Sequence, residues 1–301
     1  MIFDGGKLKD SLLKFDFAIV GAGIAGITIA IELTKAGKRV GLFESGGLEF
    51  NRDIQDLYKG ALGGNLNHAP LDAYRMRFFG GSSNCWGGGC LPYDPVDFIN
   101  RSYLEKSGWP IPYSELLPYY KRAAHYLEID SFDFEVDRKE IIRGIGSTGI
   151  FQTKYWKRNE KSPNFKEKYL DFFRQSDDSD LFLDANLSRI GSLSFDSEIE
   201  GLYFKSYNKN EFKVVASQYI LSMGGIENAR LLLNSKEIFT KPALKQTYEN
   251  IGKYYSPHVN LMHGTFVSSP GIDVLFKYEQ ISSKVQFRRF LALLTTKRDA
   301  L

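Results

Sequence analysis

Apolar and polar positions along the chain fall into stretches of different rhythm. The first reads strand, turn, helix, strand. Phe15-Asp16-Phe17-Ala18-Ile19-Val20 is the kind of short apolar run that a strand buried on both faces carries. Gly21-Ala22-Gly23-Ile24-Ala25-Gly26 follows, then Ile27, Ala30, Ile31 and Leu33 at helical spacing, with Gly37 placed to close the helix left-handed. Val40–Phe43 is a second apolar strand with Glu44 at its carboxyl end. These pieces make a complete βαβ unit of about 30 residues.

From Ser45 to Leu104 the rhythm disappears and glycine accumulates, at 46, 47, 60, 63, 64, 80, 81, 87, 88 and 89. A long loop-rich stretch inside a compact protein is usually a functional one. Trp109-Pro110-Ile111-Pro112-Tyr113 is a stiff turn, and Ser114 is placed to cap a helix reaching about Tyr126. Residues 130–180 are charged and weakly periodic, so no element is expected there. Phe182–Ile190, Gly201–Tyr207 and Glu211–Ala216 read as antiparallel strands. Gln218–Met223 is a final apolar strand, followed by a Gly224-Gly225 turn and a helix over Ile226–Leu233. The pattern predicts an α/β fold, a doubly wound sheet with an antiparallel layer.

Composition changes this picture only by exclusion. The 301 residues are 43% hydrophobic and 25% charged, and 39 basic against 36 acidic side chains leave a net charge of +3. With no run of like charge, a nucleic-acid partner is not expected. Two cysteines make neither a disulfide framework nor a zinc site by themselves. With 23 Phe and 17 Tyr the chain is not disordered. The uncharged run Phe17–Ile31, preceded by Lys7, Lys9 and Lys14, resembles a secretory leader at first sight. Asp4, Asp10 and Asp16 interrupt the basic lead, however, and the run continues into Glu32-Leu33-Thr34-Lys35. It is also shorter than the ~20 apolar residues of a spanning helix. The expectation is a soluble, cytoplasmic chain with no membrane partner.

The Gly21–Gly26 segment has the spacing of a dinucleotide fingerprint. Gly21 makes the tight turn, Gly23 lets backbone approach a pyrophosphate, and Gly26 permits close helix–strand packing. Ile24 and Ala25 open the helix whose free N–H groups favour an anion. Glu44 is placed to accept from ribose hydroxyls and disfavours a 2′-phosphate, so NADP is not expected. The unit alone does not separate FAD from NAD. A second segment bears on that choice: Arg75-Met76-Arg77-Phe78-Phe79-Gly80-Gly81-Ser82-Ser83-Asn84-Cys85-Trp86-Gly87-Gly88-Gly89. Its paired glycines, hydroxyls and amide are suited to wrapping a polar cofactor.

With Glu44-Ser45-Gly46-Gly47, these segments together resemble the glucose–methanol–choline oxidoreductases, whose FAD domain carries a βαβ unit ending in Glu and then a Gly-Gly-Ser-Ser flavin loop. The Asn84-Cys85-Trp86 version, with Trp109-Pro110-Ile111-Pro112-Tyr113-Ser114-Glu115-Leu116-Leu117-Pro118-Tyr119-Tyr120, is similar to the sugar-oxidising branch: pyranose oxidase and the large subunits of fructose and gluconate dehydrogenases. Ile220–Leu233 resembles the strand–turn–helix that returns the family's chain to the FAD domain. Glu227 in its first turn is expected to repel phosphate, which makes this an adenine-side scaffold. Asp184-Ala185-Asn186-Leu187 looks like the adenine-contacting strand, with Leu187 in place of the usual valine, and Asn250–Lys253 and Ser256-Pro257-His258 also fit.

The resemblance implies FAD lying across Gly21, Gly23, Ile24, Ala25, Gly26, Glu44 and Ser45, with its isoalloxazine near Gly80, Gly81, Ser82, Ser83, Asn84, Cys85 and Trp86. It implies a small-molecule alcohol, sugar or polyol substrate oxidised at CH–OH by hydride transfer to flavin. The family's catalytic His lies in the last part of a longer chain, so the expectation is a truncated member or one half of a split enzyme completed by a second chain. No catalytic residue is named. Residues 1–265 are expected to form the FAD domain and 266–301 the start of a substrate domain or a tail.

His68, His125, His258 and His263 read as structural histidines, and no pair has a metal-binding spacing. Cys85 stands where some relatives carry a His bonded to the flavin; an inert small cysteine is the commoner outcome. Tyr113, Tyr119, Tyr120 and Tyr126 read as helix packing before a sugar platform. Two other readings stay open: a non-catalytic flavin-binding fragment, and an NAD-binding dehydrogenase domain.

Overall fold

The computed structural model describes residues 1–63, 68–129, 131–134, 139–192, 198–256, 274–275 and 277–293. In chain order the strands are β1 (Ile2–Asp4), β2 (Leu12–Val20), β3 (Val40–Phe43), β4 (Phe151–Asn159), β5 (Ser179–Leu183), β6 (Asn186–Ser192), β7 (Ile199–Lys205), β8 (Glu211–Leu221), β9 (Glu279–Gln280) and β10 (Val285–Leu293). The α-helices are α1 (Ile24–Lys35), α2 (Arg52–Gln55), α3 (Tyr113–Leu127), α4 (Phe165–Gln175), α5 (Gly225–Leu233) and α6 (Pro242–Asn250). They fall into two compact units, Met1–Trp86 with Asn164–Val259, and Gly87–Pro163 with Asn260–Leu301. This division differs from the continuous 1–265 domain expected from sequence: residues 87–163 group with the later part of the chain.

The first unit is built on a seven-stranded sheet in the order β1-β5-β3-β2-β8-β7-β6. The pairs β1–β5, β5–β3, β3–β2 and β2–β8 are parallel, and β8–β7 and β7–β6 are antiparallel. The apolar half of β2 explains its central place: Ala18, Ile19 and Val20 are buried between neighbours on both sides. Every residue of β3 is buried as well. Phe43 stacks on Phe182 and on Phe204 at 4.7 and 4.6 Å between ring centroids, tying parallel and antiparallel strands into one core. α1 ends as its sequence predicts: Gly37 sits at φ +71° and its N–H donates to Thr34 O at 2.9 Å.

Three sequence expectations are corrected. Phe182–Ile190 is not one strand; Asp184, at φ +52°, breaks it into parallel β5 and antiparallel β6. Glu211–Ala216 and the strand expected to start at Gln218 are instead one strand, β8, which ends at Leu221. The weakly periodic 130–180 region holds β4 and α4. A signal for α4 was present: Asn164 caps it, accepting from the N–H groups of Lys166 and Glu167.

The second unit pairs β4 with β10 from Val285↔Asn159 to Leu293↔Phe151, with β9 on the far side of β10. α3 begins at Tyr113, so Ser114 lies inside the helix and is not its cap. Three of its four tyrosines pack: Tyr120 stacks on Phe132 at 5.2 Å, Tyr113 meets Phe98 edge-on, and Tyr126 is buried, while Tyr119 is exposed. Among the described residues no helix is long and apolar enough to cross a membrane.

Candidate functional site

A parallel sheet whose connections leave β2 in opposite directions opens a crevice at the carboxyl ends of its central strands. Here β2 lies between β3 and β8, and the loops after all three meet in a cleft of about 300 Å³.

One wall is backbone. Gly21, at φ +98°, turns the chain out of β2 while its N–H donates to Phe43 O at 2.7 Å. A side chain there would stand 2.7 Å from Ser222 O, and one on Gly26 would stand 1.9 Å from Gly21 O. Both glycines are therefore demanded by packing. Gly23 differs: the space where its Cβ would stand is empty. It caps α1 with no side-chain hydrogen bond, and the first turn holds no acidic residue. The N–H groups that open α1 are thus left to whatever lies in the cleft, and they favour an anion.

Glu44 ends β3 with its carboxylate buried in the same cleft. Oε2 accepts from the Ala22 N–H at 2.9 Å, and Oε1 accepts from the Gly46 N–H at 3.0 Å and from the Ser45 hydroxyl at 3.4 Å. Of the roughly four acceptor sites of a carboxylate, three are thereby engaged. Glu44 clamps the fingerprint turn to the end of β3 as well as facing the cleft.

The structure brings the second glycine segment onto the first. Gly80 N–H donates to Ala22 O at 2.9 Å, and a side chain on Gly81 would meet Gly23 Cα at 2.9 Å. Gly81 and Ser82 consequently edge the cleft, with Leu187 opposite at the start of β6. Ser83 and Asn84 hold this loop from behind. The Ser83 hydroxyl donates to Gly80 O at 2.7 Å and accepts from the Phe165 N–H, while the Asn84 amide donates to Phe79 O and Gly81 O. Of the residues expected at the cofactor, Gly21, Gly23, Ile24, Ala25, Glu44, Ser45, Gly81, Ser82 and Leu187 line the cleft. Gly26, Gly80, Ser83 and Asn84 support it, and Cys85 and Trp86 are not among its lining residues. The Cys85 thiol faces the carbonyls of Ser82 and Tyr74, and burial pushes its pKa up, which favours the inert thiol.

Nothing in the sequence says that the residues of the other wall meet. Tyr58, Arg75, Arg77, Glu227 and Arg230 line it. Glu227, in the first turn of α5, is buried, and three guanidinium groups surround it: Arg230 Nε at 2.9 Å, Arg75 Nη1 at 3.4 Å and Arg77 Nη1 at 3.6 Å. Arg75 and Arg77 also lie over the Tyr58 ring, at 4.0 and 4.7 Å. Burial, with the charge of Glu44 second, raises the Tyr58 pKa and keeps the phenol neutral. The expectation that Glu227 repels phosphate is therefore corrected: three cations outweigh one carboxylate, and the wall is positive. Buried Gln55 sets its course, donating to Asp72 O and Arg75 O while accepting from the Arg77 N–H.

Among the described residues no cluster of three or more His, Cys, Asp or Glu is placed to hold a metal. His125 lies on α3 beside Tyr126, and His258 and His263 lie outside the described residues.

The family described as NAD(P)-binding Rossmann-like domain matches residues 19–48, the βαβ unit that builds the backbone wall. A search of curated proteins found no match. Among solved structures, the chain is similar to pyridoxine 4-oxidase from Mesorbium loti, with 19% identity and a TM-score of 0.49 over 73% of this chain and 51% of that one. It is also similar to a formate oxidase variant from Aspergillus oryzae RIB40, with 18% identity and a TM-score of 0.49 over 75% of this chain and 48% of that one. A FAD-dependent oxidoreductase from Chaetomium thermophilum gives 18% identity and a TM-score of 0.49 over 74% and 48%. The chain spans about half the length of these structures.

Proposed function

We propose that the cleft binds FAD and that the chain is the flavin-binding part of an oxidoreductase of the glucose–methanol–choline type, acting on the CH–OH group of an alcohol, sugar or polyol. The observation that carries this reading is the docking of the Gly80–Gly81 turn on the Gly21–Gly26 turn, with Gly80 N–H on Ala22 O and Gly81 against Gly23. An NAD site needs only the first turn; the second adds a further glycine face beside Gly23, suited to the larger ring system of a flavin.

The residues fit the group. The open space at Gly23 and the uncapped N–H groups of α1 receive the diphosphate, with Arg75 and Arg77 supplying positive charge across the cleft. Glu44 takes the ribose hydroxyls, and Ala185 and Leu187 offer an apolar surface to the adenine. Gly81 and Ser82 face the flavin end. Bound there, FAD supplies an acceptor for the hydride leaving the alcohol carbon. A second reading, an NAD-binding domain, is favoured by the family match over residues 19–48.

The test is uptake of FAD by the purified chain, followed by its absorption spectrum and fluorescence quenching, with NADH and NADPH titrated separately. Saturable FAD uptake with no nicotinamide binding is expected. Nicotinamide binding without FAD uptake would overturn the flavin reading in favour of the second one. Flavin that separates from the denatured chain is expected too, given the unreactive setting of Cys85.

A further inference from the structure

The cofactor cleft holds charges of both signs, and one aromatic ring stands among them. Glu44, Arg75, Arg77 and Tyr58 all line it. Opposite charges in a partly enclosed cleft attract strongly, since little water screens them. Among the described residues, however, no ion pair joins Glu44 to an arginine. Its oxygens accept from the Ala22 and Gly46 N–H groups and from the Ser45 hydroxyl instead.

The arginines are held by other groups. Arg75 donates through Nε to Leu71 O at 2.6 Å and meets Glu227 through Nη1 at 3.4 Å. Arg77 donates through Nη2 to Asn186 Oδ1 at 3.0 Å. Among the described residues, Arg75 Nη2 and Arg77 Nε are left buried without a hydrogen-bond partner. What both guanidiniums share is the Tyr58 ring, whose centroid lies 4.0 Å from Arg75 Cζ and 4.7 Å from Arg77 Cζ. A ring face attracts a guanidinium without engaging its N–H groups as fully as a carboxylate would. Burial, then the charge of Glu44, keeps the phenol neutral, so Tyr58 adds no charge of its own. Glu44 keeps one acceptor site open, and the two arginine nitrogens lack acceptors. Once the ring is removed, these are complementary groups in one cleft.

We propose that Tyr58 is a positioning residue of this cleft: its ring holds Arg75 and Arg77 off Glu44, leaving the guanidiniums to a diphosphate and the carboxylate to a ribose. The proposal rests on the reading of the cleft as a dinucleotide site, and adds what keeps its two recognition elements from neutralising each other. The role belongs to the ring and not to the hydroxyl.

The test is ADP titrated by calorimetry into the full chain and its variants, with thermal unfolding of each. Tyr58→Phe keeps the ring and should bind ADP within about twofold of the parent. Tyr58→Leu removes it, and ADP affinity should fall at least roughly tenfold, the value of one charge-assisted hydrogen bond. Tyr58→Met, which keeps more of the side-chain length, carries the same expectation and decides the matter if the Leu variant does not fold. A merely structural role would give the same loss whatever stands at position 44. The proposal instead requires the loss to depend on Glu44. In a Glu44→Gln background, where no carboxylate competes for the arginines, adding Tyr58→Leu or Tyr58→Met should change ADP affinity by less than about threefold. A tenfold loss in Tyr58→Phe, or an equal loss in both backgrounds, overturns the proposal. Parent binding of ADP with Tyr58→Leu and Tyr58→Met unaffected overturns this proposal alone, whereas no ADP binding by the parent overturns the dinucleotide reading along with it.

Discussion

The two walls of the cleft face each other but are made by different means. The glycine wall consists of main chain from residues 21–26 and 80–82, and its chemistry is the direction of N–H groups and the room left by absent side chains. The arginine wall consists of side chains carried by 75–77 and by α5, some 150 residues later, and its chemistry is charge held under cover. Backbone can be aimed by local sequence alone. A buried charge cluster exists only after the chain has closed on itself. The difference predicts that the arginine wall depends more on the integrity of the fold, while the glycine wall can be damaged in ways that spare it.

The sharpest break in this comparison is Glu227→Ala. It leaves Arg75 and Arg77, whose side chains are 20% and 12% exposed, facing each other with their shared carboxylate gone. Removing one partner of a buried ion pair costs about 3–5 kcal/mol. Urea unfolding should show a loss of that order, and a loss under 1 kcal/mol would mean that the arginines turn outward and the wall is not built as described. Next is Gly26→Ala, which places a methyl 1.9 Å from Gly21 O. The main chain of Gly21 cannot yield as a side chain can, and the Ser222 hydroxyl crowds the same space, so a loss of about 3 kcal/mol is expected, at the upper end for overpacking.

These two residues also show where sequence reading succeeds and stops. Gly26 was legible because the group that crowds it most is its neighbour in sequence: the main chain of Gly21, in the same contiguous strand, turn and helix. Glu227 was seen and misjudged, since an acid in a first helical turn repels phosphate unless something cancels it. The cancelling arginines lie within the second glycine segment, yet nothing local says that 75, 77 and 227 meet. Gln55 was missed for the same reason. It sits in a polar stretch and becomes the buried brace of the 72–77 backbone only through long-range contacts. The break at Asp184 is of this kind too: its N–H and that of Ala185 are drawn to Gly46 O and Glu44 O, partners far away in sequence.

Glu44 belongs to both categories, and its substitution sharpens the contrast. As a ribose acceptor it matters only with ligand present; as a clamp on the Ala22 and Gly46 N–H groups it matters always. Glu44→Ala strands those buried donors, at about 1–3 kcal/mol. Thermal unfolding of the ligand-free chain should therefore already show the loss. A variant as stable as the parent would make Glu44 a ligand group only.

Gly23→Ala is the smallest change in stability and the most informative about function. A methyl at Gly23 meets nothing within 4 Å, and the backbone there is extended, at φ −85°, a conformation alanine adopts without strain. Unfolding free energy should stay within about 0.5 kcal/mol of the parent. The added methyl, however, occupies the empty space in front of the first turn of α1, where the diphosphate of a dinucleotide would have to approach the N–H groups. FAD affinity should fall at least roughly tenfold, the value of one charge-assisted hydrogen bond. ADP should show the same loss and adenosine almost none, since only the phosphates reach that turn. If Gly23→Ala binds FAD like the parent, the space beside Gly23 is not where the phosphates lie, and the glycine wall would be scaffold, with anion binding left to the arginines. If ADP affinity falls and FAD affinity does not, the Gly80–Gly81 side dominates the binding of the longer cofactor. Stability and affinity are expected to separate at Gly23 and to fall together at Glu227, because only one of the two walls has a residue whose sole task is to leave room.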